Sequence, residues 1–440
     1  MDDMKQKTAL DILKLGHNVF LTGPAGSGKT FLLKQYIEYL KKNDIGVAVT
    51  ASTGIAATHM NGQTIHSWSG MGIMDVFNEE EYTKLKKRHY HKQKFNNTKV
   101  LIIDEISMLH AYQLDIVNEI CKKFKEPFSP FGGLQVILCG DFFQLPPVTK
   151  YGQEARFVNE SAAWQEMNPK VCYLEEQHRQ EDSDMLKILN DIRRKSCDES
   201  TFELIRSRKN KEIKSSITPT KLYTHNINVD AINDLELKKI SAESKIFLMK
   251  HTGIEQLAAS VKKGCLAPEM LVLKEGAVVM FVKNNFERGY VNGTLGTVVA
   301  FDLAGMPVVK TLAGKKIVAT PEKWSIDEND DVLASITQVP LRLAWAITVH
   351  KSQGMTLDAV EMDLSRSFEF GMGYVALSRV RTLNGIKLLG INNIALEVNP
   401  KVSQFDKDLE ELSKKNVIEI AKMGIIKKKI FQSDFLERCE

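Results

Sequence analysis

Short, wholly apolar runs alternate with amphipathic stretches along the first third of the chain. Asn18 to Leu21, Val47 to Thr50, Val100 to Ile103 and Leu134 to Cys139 show no polar alternation. Runs of this length and texture read as strands covered on both faces, and Phe31 to Ile37 reads as a helix between two of them. Up to about Trp164 the pattern therefore predicts an open parallel α/β sheet. A polar, basic insert from about Met71 to Asn97 interrupts it. Val171 to Leu174, Leu222-Tyr223, Ala346 to Val349, Val360 to Leu364 and Ile386 to Leu389 predict a second α/β unit, itself split by an insertion. Within that insertion, from Leu271 to about Ala319, short β runs such as Val278 to Phe281 and Leu295 to Val299 are broken by turn dipeptides such as Asn292-Gly293, which predicts a small antiparallel barrel. Beyond Asn399 the Lys/Glu-rich tail, with Lys427-Lys428-Lys429, predicts a helical appendage. The expected boundaries are 1–165 with an insert at 71–97, 166–250, 251–335 for the barrel, 336–398 and 399–440.

Composition narrows the class without naming a function. With 440 residues, 43% of them hydrophobic and 26% charged, the chain has the make-up of a soluble globular protein of two or more domains. No run of about 18 apolar residues predicts a membrane span, and Met1-Asp2-Asp3-Met4-Lys5 lacks the features of a signal or transit peptide. The expected location is the cytoplasm, with the nucleoid if the source is bacterial. The six cysteines include no C-x-x-C pair and read as reduced, mostly buried thiols. A net charge of +4 is weak support for a polyanionic partner. The basic run from Lys84 to Lys94 fits a solvated helix face as well as a binding surface.

The strongest chemical signal is GPAGSGKT, from Gly23 to Thr30, set between a predicted strand and a predicted helix. Glycines at 23, 26 and 28 free the backbone to turn successive N–H groups onto an anion, assisted by the helix N-terminus. Lys29 is then placed for β- and γ-phosphates and Thr30 for Mg²⁺. The apolar strand ending in Asp104-Glu105 is the second signal, because ligands in a parallel sheet sit at the carboxyl ends of strands. Asp104 suits a metal-bound water and Glu105 a base that polarises the attacking water, so the pair points to hydrolysis. After the strand Leu134 to Cys139, Gln144 suits a neutral hydrogen bond to a γ-phosphate, and Pro146-Pro147 stiffen the loop beyond it. Arg179 and Arg379 are candidate stabilisers of transition-state charge, although a lone arginine is equally a surface ion pair. Hydroxyls and backbone N–H groups in Thr50 to Ala57, Thr64 to Trp68 and Ala346 to Thr356 can grip phosphates. His66 and His350 fit plain hydrogen-bonded histidines too, and Trp68 fits packing as well as base stacking.

The order of these motifs resembles the petite-integration-frequency (Pif) helicases of the RecD-like branch of helicase superfamily one. The resemblance runs from about Lys7 to Asn393 through GPAGSGKT, TASTGIAA, TIHSW, LIIDEISML, PFGG, LCGDFFQLPPV, EQHRQ, LYTHNINVDAIN, GAVVMFVKN, VNGTLGTVV, AWAITVHKSQGMTLD and GMGYVALSRVRT. It implies two RecA-like P-loop motor domains, an SH3-like β-barrel inserted in the second and a strand-separating wedge at 71–97 in the first. It implies an ATP-dependent DNA helicase moving 5′-to-3′ on single-stranded DNA and unwinding forked or structured DNA, G-quadruplexes included, in replication, repair and recombination. Position by position, Gln6 resembles an adenine-reading glutamine. Gly23, Pro24, Ala25, Gly26, Ser27, Gly28, Lys29, Thr30 and Phe31 resemble the nucleotide loop, with Thr30 and Asp104 on the metal. Glu105 resembles the base, Gln144 the γ-phosphate sensor, Arg179 and Arg379 the arginine fingers, and Gln353-Gly354 the coupling loop. Thr53, Gly54, His66, Pro146, His225, Asn226, His350 and Lys351 occupy positions that the family uses for DNA. The expected cofactors are ATP and Mg²⁺, and the expected state is a monomer that dimerises transiently on DNA. Two other readings stay open on the residues alone: an RNA-directed helicase of the same superfamily, and a nucleotide-gated DNA clamp without processive unwinding.

Overall fold

The apolar runs near the N-terminus fold into a sheet whose two faces are both covered. In the computed structural model the described residues are 4–439, apart from 73–75, 78, 88, 150–153, 177–181, 214–217, 225–228, 286 and 329–330. Strands β1 (Val19–Thr22), β2 (Val47–Ala51), β3 (Gln63–Thr64), β4 (Val100–Asp104), β5 (Gln135–Cys139) and β6 (Lys170–Tyr173) form one parallel sheet in the order β3-β2-β4-β5-β1-β6. Along β1, β4 and β5, residues alternate between two cores. Phe20, Leu101, Ile103 and Leu138 face one, and Val19, Leu21, Ile102 and Ile137 the other. Double burial is why no polar alternation marks these strands.

Helices α1 (Gln6–Lys14), α2 (Lys29–Lys42), α3 (Gly54–His59), α4 (Ile65–Ser69), α5 (Glu79–Lys87), α6 (His89–Asn97), α7 (Ala111–Phe124) and α8 (Ala162–Met167) connect and cover these strands. The insert expected at 71–97 contains α5 and α6, and Phe95 of α6 stacks on Phe124 of α7. Lys94, in the basic run, is buried rather than solvated and donates to the Trp68 carbonyl. Trp68 is itself buried and packs against Phe95, which places it in the core.

Strand β6 corrects the expected boundary at residue 166. Its pattern matches a buried strand, but it pairs with β1, Val19 against Lys170, and so completes the first sheet rather than opening the second. Helices α9 (Ser183–Arg194) and α10 (Glu199–Arg206) come next, then β7 (Thr220–Tyr223) and α11 (Val229–Lys238).

The insertion is longer than the expected 251–335. It begins with β8 (Ser244–Leu248) and β9 (Lys250–Gly253), followed by α12 (Glu255–Gly264) and β10 (Met270–Lys274). Next come β11 (Val278–Phe281), β12 (Leu295–Phe301), β13 (Pro307–Thr311), β14 (Lys316–Val318), β15 (Glu322–Glu328), β16 (Asp331–Gln338) and β17 (Leu341–Leu343). These form an antiparallel sheet β14-β13-β12-β11-β17, a triplet β15-β16-β9 and a ribbon β10-β8. The expected barrel does not close among the described residues, because β14 and β17 pair only inward and leave the two ends of the sheet apart. The concave side is filled by Val279, Phe281, Val298, Val309, Ile317 and Leu341, with Leu271 and Leu273 added from the ribbon.

The second parallel sheet, β18-β7-β19-β20, uses β18 (Ala346–Thr348), β19 (Val360–Leu364) and β20 (Ile386–Ile391), with α13 (Met372–Ser378) crossing between the last two. The tail is helical as expected, in α14 (Pro400–Lys422) and α15 (Ile425–Cys439), but it is no loose appendage. Helix α14 seals the open edge of β6: Ser413 Oγ accepts from Tyr173 N at 3.0 Å and Asn416 Nδ2 donates to the Val171 carbonyl at 3.0 Å. Sheet edges carry unpaired backbone groups that must be met somehow, and here side chains meet them. All six cysteines are free, and among the described residues no helix is long and apolar enough to cross a membrane.

The second sheet has the same edge problem at β18, solved by one residue. Asn233 of α11 is buried, donates to the Ala346 carbonyl at 3.0 Å and accepts from Ala346 N at 3.0 Å, as a neighbouring strand would. Asn233→Ala is expected to cost about 2 kcal/mol by stranding that donor and acceptor. Urea unfolding checks it, and a loss under about 0.5 kcal/mol would mean that the edge is met another way.

Candidate functional site

The carboxyl ends of β1, β4 and β5 are neighbours in the sheet, so the segments leaving them converge. After β1 the loop from Gly23 to Gly28 turns tightly into α2. Gly23 has φ +137°, and a Cβ there would lie 2.2 Å from the Leu174 carbonyl oxygen; Gly28 caps the helix at φ 84°. Lys29 Nζ donates to the carbonyls of Gly23 at 2.8 Å and Pro24 at 2.9 Å. Burial lowers the pKa of this ammonium, opposed first by the charge of Asp141.

Asp104 ends β4 and is buried; its Oδ1 accepts from Glu105 N at 2.8 Å. Burial raises its pKa, with Cys139, the Glu105 N–H and Lys29 pulling the other way. Glu105 sits in the left-handed region at φ 51°, ψ 45°, and Ser52 Oγ donates to its carbonyl at 2.6 Å. Its carboxyl is pushed up to about 7, by burial first and then by Asp104, against Arg379 and Lys29. A carboxyl so placed is poised to exchange a proton near neutrality.

From the second unit come Gln353 and Gly354, in the turn after β18, and Arg379 at the end of α13. Arg379 is 2% exposed; its Nε donates to the Val375 carbonyl at 3.0 Å and one terminal nitrogen to Ser378 Oγ at 2.8 Å. Burial lowers its pKa, with Glu105 the chief opposing charge.

These groups line one cleft of about 720 Å³, within the range of small-molecule sites. Its walls include Ala25 to Phe31, Asp104, Glu105 and Gln144 from the first unit and Gln353, Gly354 and Arg379 from the second. Among the described residues, the buried side-chain atoms here without a hydrogen-bond partner include Gln144 Oε1 and Gln353 Nε2. An orphan acceptor and an orphan donor facing the same polar cleft fit a ligand that carries both a water and anionic oxygens. For a cation, the available donors are the Thr30 hydroxyl and the Asp104 carboxylate, and no cluster of three His, Cys, Asp or Glu exists among the described residues. So spare an oxygen set suits Mg²⁺, which keeps its waters and takes its other ligands from phosphate.

The remaining expected residues divide. Thr53, His350 and Lys351, expected on DNA, line this same cleft. Gly54 is a packing residue, since a Cβ on it would lie 2.8 Å from the Cα of Gly264 in α12, tying α3 to the insertion. His66 Nε2 lies 3.0 Å from Gln113 Nε2, and burial lowers its pKa. Gln6 opens α1, and neither Gln6 nor Pro146 is among the cleft-lining residues. Arg179, His225 and Asn226 lie outside the described residues. Missed in the sequence were Asn284, Val291 and Asn292, which bring the insertion into the cleft. Asn292-Gly293 signalled a turn but nothing of its direction. Also missed were Asp141, Arg193 and Tyr374, joined in one buried cluster behind the phosphate loop.

Comparison with known proteins supplies the family. A model of PIF1-like helicases matches residues 3–198, and one of the DNA helicase Pif1 2B domain matches 256–301. The ATP-dependent DNA helicase Pif1 of a Psychrobacter species is 43% identical over 93% of this chain and 71% of its own length. Human ATP-dependent DNA helicase PIF1 is 38% identical over 91% of this chain, which spans 63% of the human protein. Among solved structures, a Bacteroides Pif1 in complex with ADP-AlF4 superimposes with a TM-score of 0.80 at 31% identity, covering 93% of this chain and 97% of that one. Bacteroides Pif1 with ADP-AlF3 and single-stranded DNA gives 0.64 at 30% identity over 93% and 98%. A structure that bears on DNA unwinding at forked duplex DNA by two coordinating Pif1 helicases gives 0.63 at 31% over 94% and 98%. With the shared fold, the ordered motifs and this identity over nearly its whole length, the chain belongs to the Pif1-like helicase family.

Proposed function

We propose that this chain is an ATP-driven DNA helicase whose hydrolytic site is the cleft between its two parallel sheets. The observation that carries this reading is the meeting of two sets of residues in that cleft. Lys29, Asp104, Glu105 and Gln144 come from one unit, and Gln353 and Arg379 from the other. A site shared between units is sensitive to their separation, which is what converts hydrolysis into movement along a strand. The nucleotide complexes of the Bacteroides relatives support the fuel, and the single-stranded and forked DNA complexes support the track.

In this reading the phosphate-loop N–H groups and Lys29 bind the β- and γ-phosphates, so Lys29 exchanges its loop carbonyls for phosphate oxygens. Thr30 and Asp104 would hold Mg²⁺, which would supply charge neutralisation to the bound phosphates. Glu105 takes a proton from the attacking water, Gln144 Oε1 accepts from that water, and Gln353 Nε2 donates to a phosphate oxygen. Arg379 neutralises charge that grows on the γ-phosphate as the bond breaks. On the DNA side, Thr53, His350 and Lys351 border the cleft and transmit its state to the strand, and His66, Pro146, His225 and Asn226 are further strand contacts in this reading. The α5–α6 insert supplies the wedge. The motor works 5′-to-3′, as a monomer joined by a second copy at forks.

Lys29→Ala should cut DNA-stimulated ATP hydrolysis at least about a hundredfold while leaving single-stranded DNA binding within about threefold. Near-normal hydrolysis in that variant would sink the assignment. Since Glu105 acts as a base, kcat should fall about tenfold per pH unit below 7 and level off above it. Glu105→Gln should still bind nucleotide, lose about a hundredfold or more in turnover at pH 8, and lack the fall below pH 7, so that its gap to the parent narrows as pH drops. A kcat that stays flat down to pH 5.5 would remove Glu105 from the role. The whole reading is tested on forked duplexes with a 5′ or a 3′ single-stranded tail, in DNA and in RNA, with ATP and Mg²⁺. Strand release confined to the 5′-tailed DNA fork is expected. Release from RNA alone, or ATP consumption without release, would overturn it.

A further inference from the structure

One N–H of the phosphate loop does not face the cleft. Ala25 N donates instead to the hydroxyl of Tyr374, 3.1 Å away and 349 positions later in the chain. That hydroxyl also accepts from Arg193 Nη1 at 3.2 Å and donates to Asp141 Oδ2 at 3.3 Å, which fills its one donor and both lone pairs. Arg193 in turn holds both oxygens of Asp141, at 2.8 and 2.9 Å, and lies over the ring of Phe143 at 4.1 Å. Tyr374, Asp141 and Arg193 are all buried.

Each partner leads to a different part of the hydrolytic site. The Asp141 carbonyl accepts from Gln144 N at 3.0 Å and its Oδ1 from Phe143 N at 3.2 Å, so Asp141 sets the turn that carries Gln144. Tyr374 belongs to α13, and Arg379 lies five residues on, about 7.5 Å along the axis. The other end of α13 rests on the Gln144 turn. Gly371 there has φ +79°, and a Cβ would fall 2.5 Å from the Phe143 carbonyl oxygen. One two-turn helix therefore leans on the Gln144 turn, bonds to the phosphate loop and presents Arg379.

We propose that Tyr374 is a positioning residue for ATP hydrolysis: its hydroxyl, locked by Asp141 and Arg193, sets the phosphate loop in register with α13 so that Lys29, Gln144 and Arg379 act on the nucleotide together. This rests on the cleft being the hydrolytic site. Loss of the hydroxyl leaves every group that binds nucleotide in place and disturbs only their mutual alignment, so turnover falls and binding persists. A purely structural cluster would behave differently, losing stability and binding together.

The test compares full-length Tyr374→Phe with Tyr173→Phe. Tyr173 OH accepts from the other side of Arg193 at 2.8 Å and has no bond to the phosphate loop. In single-strand-stimulated ATPase assays, Tyr374→Phe is expected to lower kcat by about tenfold, the loss of one aligned hydrogen bond. KM for ATP and the Kd for a fluorescent ADP analogue should stay within about threefold, and Tyr173→Phe should keep kcat within about threefold. Gly371→Ala, which pushes α13 from the Gln144 turn by its far end, should show the same kcat-selective loss. The proposal is overturned if Tyr374→Phe keeps its kcat, or if both tyrosine variants lose kcat, ADP affinity and thermal midpoint in step. If Lys29→Ala also hydrolyses ATP normally, the fault lies with the cleft and not with Tyr374.

Discussion

A buried guanidinium holds this molecule's two units and its tail in one arrangement. Arg193 has a side chain only 5% exposed, and its charge is met by Asp141, by the hydroxyls of Tyr173 and Tyr374, and by Asp406 of α14 at 3.5 Å. A buried ion pair is a poor source of stability, because desolvation cancels most of the attraction unless every polar atom is met. Here the partners are gathered from β6, the turn after β5, α13 and α14, so the cluster is satisfied only when all four lie together. Its worth is in specifying one arrangement; losing Asp141, both of whose oxygens Arg193 holds, leaves a charge in a dry place at a cost of about 3 to 5 kcal/mol. Asp406 registers the tension, its carboxyl raised to about 6 by burial in spite of the nearby Arg193.

The cleft in front of this cluster is built against the preferences of its own groups. Asp104 and Glu105 are adjacent carboxylates, one buried and one half-buried, and Glu105 occupies a left-handed backbone region that costs a non-glycine residue about 1 to 2 kcal/mol. Ser52 holds the strained peptide from β2, and the Glu105 N–H is turned back onto Asp104. Such strain survives only where neighbours over-determine the geometry, and the doubly covered sheet beneath supplies that rigidity.

How much of this the sequence disclosed depends on the range of each interaction. The phosphate loop, Asp104-Glu105 and Gln144 stood out because each is a local pattern, a strand with particular residues within a few positions of its end, whereas Arg379, at the end of α13, was set apart from a surface arginine only by the resemblance. Sheet membership was not. Val171 to Leu174 has the same apolar texture whether it pairs with β1 or with β7, and only the tertiary fold chooses. The barrel failed to close for a related reason, since short strands and turns report a meander but not whether its first and last members meet. Gly54, in a phosphate-gripping motif, also packs closely on Gly264, and Trp68 takes the packing role that its sequence context allowed. Arg193, Asp141 and Tyr374 gave no signal at all, being separated by 52, 181 and 233 positions and recognisable only once brought together.

Sealing an edge strand with a distant segment constrains how the two units can move. Helix α14 leaves the second sheet after β20 and crosses back to cover β6 of the first, fixed by Ser413, Asn416 and the Lys170–Glu419 pair. Beyond it, Phe435 of α15 packs where a side chain on Gly16 would stand, joining the core beneath α1 and α2. Residues 4–174 and α14–α15 thus both pack in the first unit, with the second sheet between them in sequence. Relative motion of the units must therefore act on two connections at once, the 399–400 junction into α14 and the α9 segment that bears Arg193. Both reach the same charged cluster, through Asp406 on one side and Arg193 on the other. Displacement that parts them exposes or strands a buried charge. The physics of that one cation therefore opposes separation of the two sheets at this point.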